Sequence, residues 1–108
     1  MDLQLHGKGL EITPSVQEYA RKKLAFLRRI VPPEEYAALK VQLGVARTTR
    51  HHYKGCVYRI SLKVQAGRGV WHAAVPAANV REGIDKAKDL LKRRIVTGKE
   101  ELRARRRA

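Results

Sequence analysis

Cys56, Tyr58, Ile60, Leu62 and Val64 alternate with other residues without a break. A period of two puts these side chains on one face of an extended chain, so the segment reads as a half-buried strand. The pattern recurs. Leu39, Val41, Leu43 and Val45 alternate strictly, Leu3 and Leu5 mark a shorter strand ending at Gly7 to Gly9, and "VWHAAV", closed by Pro76, supplies a fourth. "AGRG" joins the third and fourth strands as a hairpin, because its glycines tolerate positive φ. Between the strands the period changes. Thr13 is a good N-cap and Pro14 suits the first helical position, so a helix starts there and runs to about Ile30, stopping before Pro32-Pro33. Asn79 caps a second helix with Val80, Ile84, Ala87, Leu91 and Ile95 on one stripe.

The order is therefore β-α-β-β-β-α with no internal repeats. A four-stranded sheet with one apolar face needs a cover, and two amphipathic helices supply it, which predicts an α+β fold with both helices packed on one face. Residues 1–98 form this domain, and "KEELRARRRA", with little to bury, reads as a basic, flexible tail over residues 99–108. The helices share a side of the sheet, so the charges on their outward faces add.

Those charges are lopsided. The chain has 108 residues and 24 Lys and Arg against 10 Asp and Glu, a formal net charge of +14. Such a domain repels itself without an anionic partner, and nucleic acid is the expected one. The same repulsion opposes self-association, which predicts a monomer in free solution. The single cysteine, Cys56, excludes an internal disulfide and fits a reducing cytoplasm. "MDLQLHGKG" lacks the apolar core of a signal peptide, and no apolar run approaches the roughly 20 residues that span a bilayer.

On the first helix the buried arc centres on Val16, Ala20, Leu24 and Leu27. Arg21 and Arg28 fall on one flank, Lys22 and Arg29 on the other, and Lys23 at the edge of the apolar arc. On the second, Lys86 and Arg93 share the outer face, and Arg81, Lys88 and Lys92 run along a flank with only Glu82, Asp85 and Asp89 to offset them. A solvated face that merely keeps a protein soluble interleaves both signs. The imbalance points instead to a phosphate-binding surface, with Lys22, Lys23, Arg28, Arg29, Lys86, Lys88, Lys92, Arg93 and Arg94 as the RNA-contacting residues.

Other chemistry finds little support. His51, His52 and Cys56 lack a second Cys or His pair at zinc-finger distance, so neither metal nor cofactor is expected. No nucleophile elbow, phosphate-binding glycine loop or paired-carboxylate motif argues for an enzyme. A membrane-surface role ranks behind both RNA-binding readings, because the helices need their apolar arcs for the core. Trp71 and His72 must point to opposite faces of their strand, and alternation alone leaves open which is buried. Tyr58 shares the apolar face of its strand.

Two stretches carry a family resemblance. "HGKGLEITPSVQEYARKKLAFLRRI" resembles the start of the ribosome hibernation promoting factor family, which includes ribosome-associated inhibitor A, at Glu11, Ile12, Thr13, Tyr19, Lys23, Leu24 and Arg29. "GVWHAAVPAANVREGIDKAKDLLKRRI" resembles the family's later strand and helix at Gly69, Val70, Ala73, Gly83, Ile84, Asp85, Leu91 and Arg93. The chain departs from the family at Phe26, Leu90 and Thr97, where members often carry basic residues. The resemblance implies a fold close to a double-stranded-RNA-binding domain and a site on the small ribosomal subunit. There the basic helices meet ribosomal RNA in the decoding channel, exclude mRNA and the A- and P-site tRNAs, and silence cytoplasmic bacterial ribosomes in stationary phase or under stress. Long members add a C-terminal dimerisation domain that "RARRRA" does not begin, so one copy per small subunit is expected. The competing expectation is a general RNA-binding or structural ribosomal protein without inhibitory action.

Overall fold

Alternating apolar residues can be buried only if every strand turns the same way, and the sheet does this. The computed structural model describes residues 1–48, 57–67 and 69–107, with side chains described through residue 98. The elements are β1 (Asp2–Lys8), α1 (Pro14–Leu24), α2 (Leu27–Ile30), α3 (Pro33–Ala37), β2 (Lys40–Arg47), β3 (Tyr58–Ala66), β4 (Gly69–Ala77) and α4 (Val80–Arg107). The sheet order is β1-β2-β3-β4, with β1 parallel to β2 and the other pairs antiparallel. Register places Leu43 between Leu5 and Leu62, and Val64 between Val41 and Trp71. Their side chains meet Ala20, Leu24 and Leu27 from the first helical segment, and Ile84, Ala87, Leu91 and Ile95 from α4. Among the described residues no polar or charged side chain is buried. The α+β expectation holds.

Both predicted caps form. The amide of Val16 donates to Oγ1 of Thr13 at 3.2 Å, and the amide of Glu82 donates to Oδ1 of Asn79 at 2.8 Å. Nδ2 of Asn79 also reaches Oε2 of Glu82 at 3.4 Å, which ties the first turn of α4 to its cap. The β3–β4 hairpin turns at Gly67, whose φ of +55° a residue with a Cβ rarely adopts.

The structure corrects several boundaries. The predicted helix to Ile30 is interrupted at Ala25 and Phe26, where the amides of Ala25, Arg28 and Arg29 bond three residues back. This tighter winding keeps Leu27 buried while the helix continues as α2. A further short helix, α3, begins at Pro33 with Glu34 and Glu35 in its first turn, where acids favour the positive end of a helix. Pro76 lies inside β4 instead of ending it. The strand is at the sheet edge, where a missing N–H costs no ladder bond.

The tail differs most. The backbone is helical through Arg107, past residue 98, after which a flexible tail was expected. Gly98 is not in the left-handed conformation of a C-cap. It serves a packing role instead, since a Cβ there would meet Nε1 of Trp71 at 3.2 Å. A Cβ at Gly69 would overlap the same indole ring, so Trp71 sits between two glycines, half-buried under the helices, and His72 takes the exposed face. The basic loop with His51, His52, Tyr53 and Cys56 lies outside the described residues.

Gly83 sets how closely α4 seats on the sheet. A Cβ there would overlap Cγ1 of Ile60 and come 2.9 Å from Cβ of Ala77. Gly83→Ala should therefore destabilise the fold by about 1–3 kcal/mol through overpacking, despite alanine's helix advantage of about 1 kcal/mol. Urea unfolding checks this, and Gly83→Ala combined with Ile60→Ala, which removes the overlapping Cγ1, should cost less than the sum of the two single variants.

Candidate nucleic-acid interface

The two long helices run side by side in the same direction. Arg81 donates to Oγ of Ser15 at 2.7 Å, and the hydroxyl of Tyr19 donates to Oδ1 of Asp85 at 2.7 Å. Lys23 approaches the same Oδ1 at 3.4 Å. The Tyr19 ring also has two cations over it, with Arg81 5.1 Å and Lys23 5.4 Å from its centroid. Farther along, Lys88 stands 5.8 Å from the Phe26 ring. Asp85 thus accepts from Tyr19 and pairs with Lys23, both on α1.

These contacts divide the nine expected RNA-contacting residues into groups. Lys23 lies in the seam, half-exposed and paired with Asp85. Lys88 lies there too, over Phe26 and 3.6 Å from Asp89. Lys86 is exposed and pairs with Glu82 at 2.7 Å, one helical turn back. Arg28 turns to the side, 5.5 Å from the ring of Tyr36 on α3. Arg94 reaches over the opposite edge of α4 and donates to the backbone carbonyl of His72 on β4, away from the first helix.

Lys22, Arg29, Lys92 and Arg93 remain. All four are exposed, and no described residue pairs with them. The helix register that matches Ser15 with Arg81 and Tyr19 with Asp85 brings Lys22 level with Lys88, so the free cations lie on the outward surface that the two helices share. Val96 and Thr97 flank Lys92 and Arg93 in a shallow hollow, with Asp89 on its rim. Sequence spacing located this surface but gave no means of telling paired from unpaired cations. The i,i+4 spacing occurs at Glu82–Lys86, Glu18–Lys22 and Asp89–Arg93, and only the first of these forms an ion pair among the described residues. The stacking of Arg28 on Tyr36 was invisible without α3.

The described residues contain no group of three or more metal-ligating side chains and no helix long and apolar enough to cross a membrane. The arrangement can bind anions along a line, and it offers no group placed to make or break a bond.

A family profile described as sigma 54 modulation protein / S30EA ribosomal protein matches residues 3–103. The chain belongs to that family. It is a ribosome-associated, hibernation-type and non-enzymatic class, which agrees with the resemblance carried by Glu11–Thr13 and Gly83–Asp85. Among solved structures, the N-terminal domain of Thermus thermophilus Protein Y superposes with a TM-score of 0.72 at 26% identity, over 88% of this chain and 96% of that one. A ribosomal subunit interface protein from Coxiella burnetii gives a TM-score of 0.69 at 17% identity, over 93% of this chain and 99% of that one, and shows the shared fold. No curated protein matches.

The seam has a pH signature. The Tyr19 pKa is raised above 10.0, first by its hydrogen bond to Asp85, then by partial desolvation and the Asp85 charge. That of Lys23 is raised above 10.5, first by its hydrogen bond to Asp85 and then by the carboxylate's charge. A raised folded-state pKa gives stability that is complete below the unfolded value and lost as pH climbs through the folded one. The chain should therefore lose stability in urea as pH rises above about 10, and Asp85→Asn should flatten that decline. An unchanged slope in the variant would show that the seam is not coupled through Asp85.

Proposed function

We propose that this chain is a ribosome hibernation factor that lays the shared outer surface of α1, α2 and α4 on ribosomal RNA of the small subunit. The observation that carries the reading is the set of four unpaired cations, Lys22, Arg29, Lys92 and Arg93, beside a seam in which other cations are already paired. Unpaired like charges on neighbouring helices repel one another, and phosphates relieve that repulsion. Arg29 and Arg93 suit bidentate contact with phosphate oxygens, and Lys22 and Lys92 supply point charges. Lys23, Lys86 and Lys88 join as a second rank whose local pairs would be exchanged for phosphate contacts. Arg28 and Arg94 stand at the margins.

In this reading the domain occupies the decoding channel, where its bulk excludes mRNA and the A- and P-site tRNAs. Translation stops by occlusion, without chemistry. The protein acts in the cytoplasm, under stress or in stationary phase, one copy to each small subunit. Family membership supports the ribosome as partner, and the charge arrangement supports RNA as the contacted component. A structural ribosomal protein would remain bound in all growth phases, whereas a hibernation factor accumulates on idle ribosomes. Ribosome profiles from growing and starved cells separate the two.

Four phosphate contacts predict that the logarithm of affinity falls with the logarithm of salt concentration with a slope of about −3.6. Lys22→Glu with Arg29→Glu, or Lys92→Glu with Arg93→Glu, should release the protein from sedimenting ribosomes and relieve its inhibition of translation in vitro. Thermal unfolding should change little, because these side chains have no ion-pair partner among the described residues. Wild-type inhibition by both double variants would rule out the helix surface as the site.

A further inference from the structure

The sheet's other face, turned away from the helices, carries a second cluster of cations. Register aligns its outward residues in rows across the four strands. The row His6, Gly44, Ser61 and Ala74 is built largely of small side chains. On one side of it stand Gln42, Lys63 and His72, and on the other Lys8 and Arg59. Small residues between taller ones make a trench, and the structure has one of about 590 Å³ there. It continues into a smaller hollow along Lys8, Ala46 and Arg59. Lys63 and Arg59 are four residues apart on β3, so the walls stand about 13 Å apart. Arg94, held over the β4 edge by the His72 carbonyl, lines the end of the trench.

The composition of the trench indicates its ligand. No carboxylate lines it, and the one acid among the described residues of this face, Asp2, lies at the far end of β1 opposite Lys40. Arg59 and Lys63 are exposed and have no ion-pair partner among the described residues. The described residues of this face include no aromatic on which a base could stack, apart from the imidazoles of His6 and His72. Cations on both walls, with Ser61 on the floor between them and Gln42 beside Lys63, suit a chain of phosphates and hydroxyls.

We propose that this trench holds the sugar-phosphate backbone of a single RNA strand, gripped by Arg59 and Lys63 from its two walls and independent of the helix surface. The domain then has two RNA-binding faces and bridges two RNA segments, which rests on the reading above for the helix face alone. The sheet site reads phosphate and not sequence.

The test uses the full chain with the helix surface neutralised by Lys22→Gln, Arg29→Gln, Lys92→Gln and Arg93→Gln. A fluorescent oligouridylate of about 12 nucleotides, long enough to cross one such module, is the probe. This background should still bind the probe. Arg59→Gln with Lys63→Gln should weaken binding about tenfold or more and reduce the salt slope by about 1.4, as two lost single-strand contacts require. Ser61→Ile fills the trench floor, removes no charge and suits a strand, so it should weaken binding to a similar degree with an unchanged melting temperature. Poly-glutamate at equal charge should fail to compete. Absent binding in the neutralised background, wild-type binding by Ser61→Ile, or full competition by poly-glutamate would each overturn the proposal. Because the readout uses no ribosomes, it stands or falls separately from ribosome release by the helix-surface variants.

Discussion

The sheet has one apolar face, and α1 with its continuation α2 and the long helix α4 cover it from the same side. That constraint determines where the rest of the chemistry can be. Ala20, Leu24 and Leu27 from the first helix and Ile84, Ala87, Leu91 and Ile95 from α4 take up the inner arcs, so the cations of both helices are forced outward or into the seam between them. Gly83 lets α4 approach Ile60 and Ala77 closely, and Trp71 fills the other end between Gly69 and Gly98. A chain with a net charge of +14 thus folds around a core in which no described side chain is charged.

Electrostatics then sorts the cations by position. Within the seam, Asp85 accepts from Tyr19 and pairs with Lys23, and Arg81 bonds Ser15 across the tyrosine ring. Exposed pairs of this kind contribute modestly to stability, typically about 0–1 kcal/mol each. Their structural consequence is larger, because they fix the parallel register of the two helices. Outward of the seam, Lys22, Arg29, Lys92 and Arg93 have no ion-pair partner among the described residues, and neither do Arg59 and Lys63 on the far side of the sheet. A surface built only for solubility would have interleaved acids in both places. Family membership names the ribosome as the setting, and the distribution of charge indicates how the domain would engage its RNA.

Much of this was legible in the sequence. Alternation gave all four strands, Thr13 and Asn79 gave both helix starts, and helical periodicity gave the core residues of α4. The losses have physical causes. Ala25 and Phe26 have no breaker chemistry, so the three-residue hydrogen bonding there left no mark in the sequence. Pro32-Pro33 was read only as a stop, although Pro-Glu-Glu is also a helix start, and α3 with its Arg28–Tyr36 contact was missed. The domain was ended at residue 98 because the tail has little to bury, and the packing of Gly98 against Trp71 had no local sign since Trp71 is distant in sequence. Pro76 looked like a strand end because edge position is a property of the sheet order. At the site, charge counting found the basic surface but not its internal pairing, since Tyr19 and Asp85 meet across 66 positions of sequence.

The central claim is that the unpaired cations of the paired helices contact ribosomal RNA. A cryo-EM structure of the protein bound to the small ribosomal subunit tests it most directly. The account predicts α1, α2 and α4 facing RNA, with Lys22, Arg29, Lys92 and Arg93 at charge-assisted hydrogen-bonding distance from phosphate oxygens, about 2.7–2.9 Å. A complex in which that surface faces solvent, or rests on a ribosomal protein with the four side chains unengaged, would contradict it.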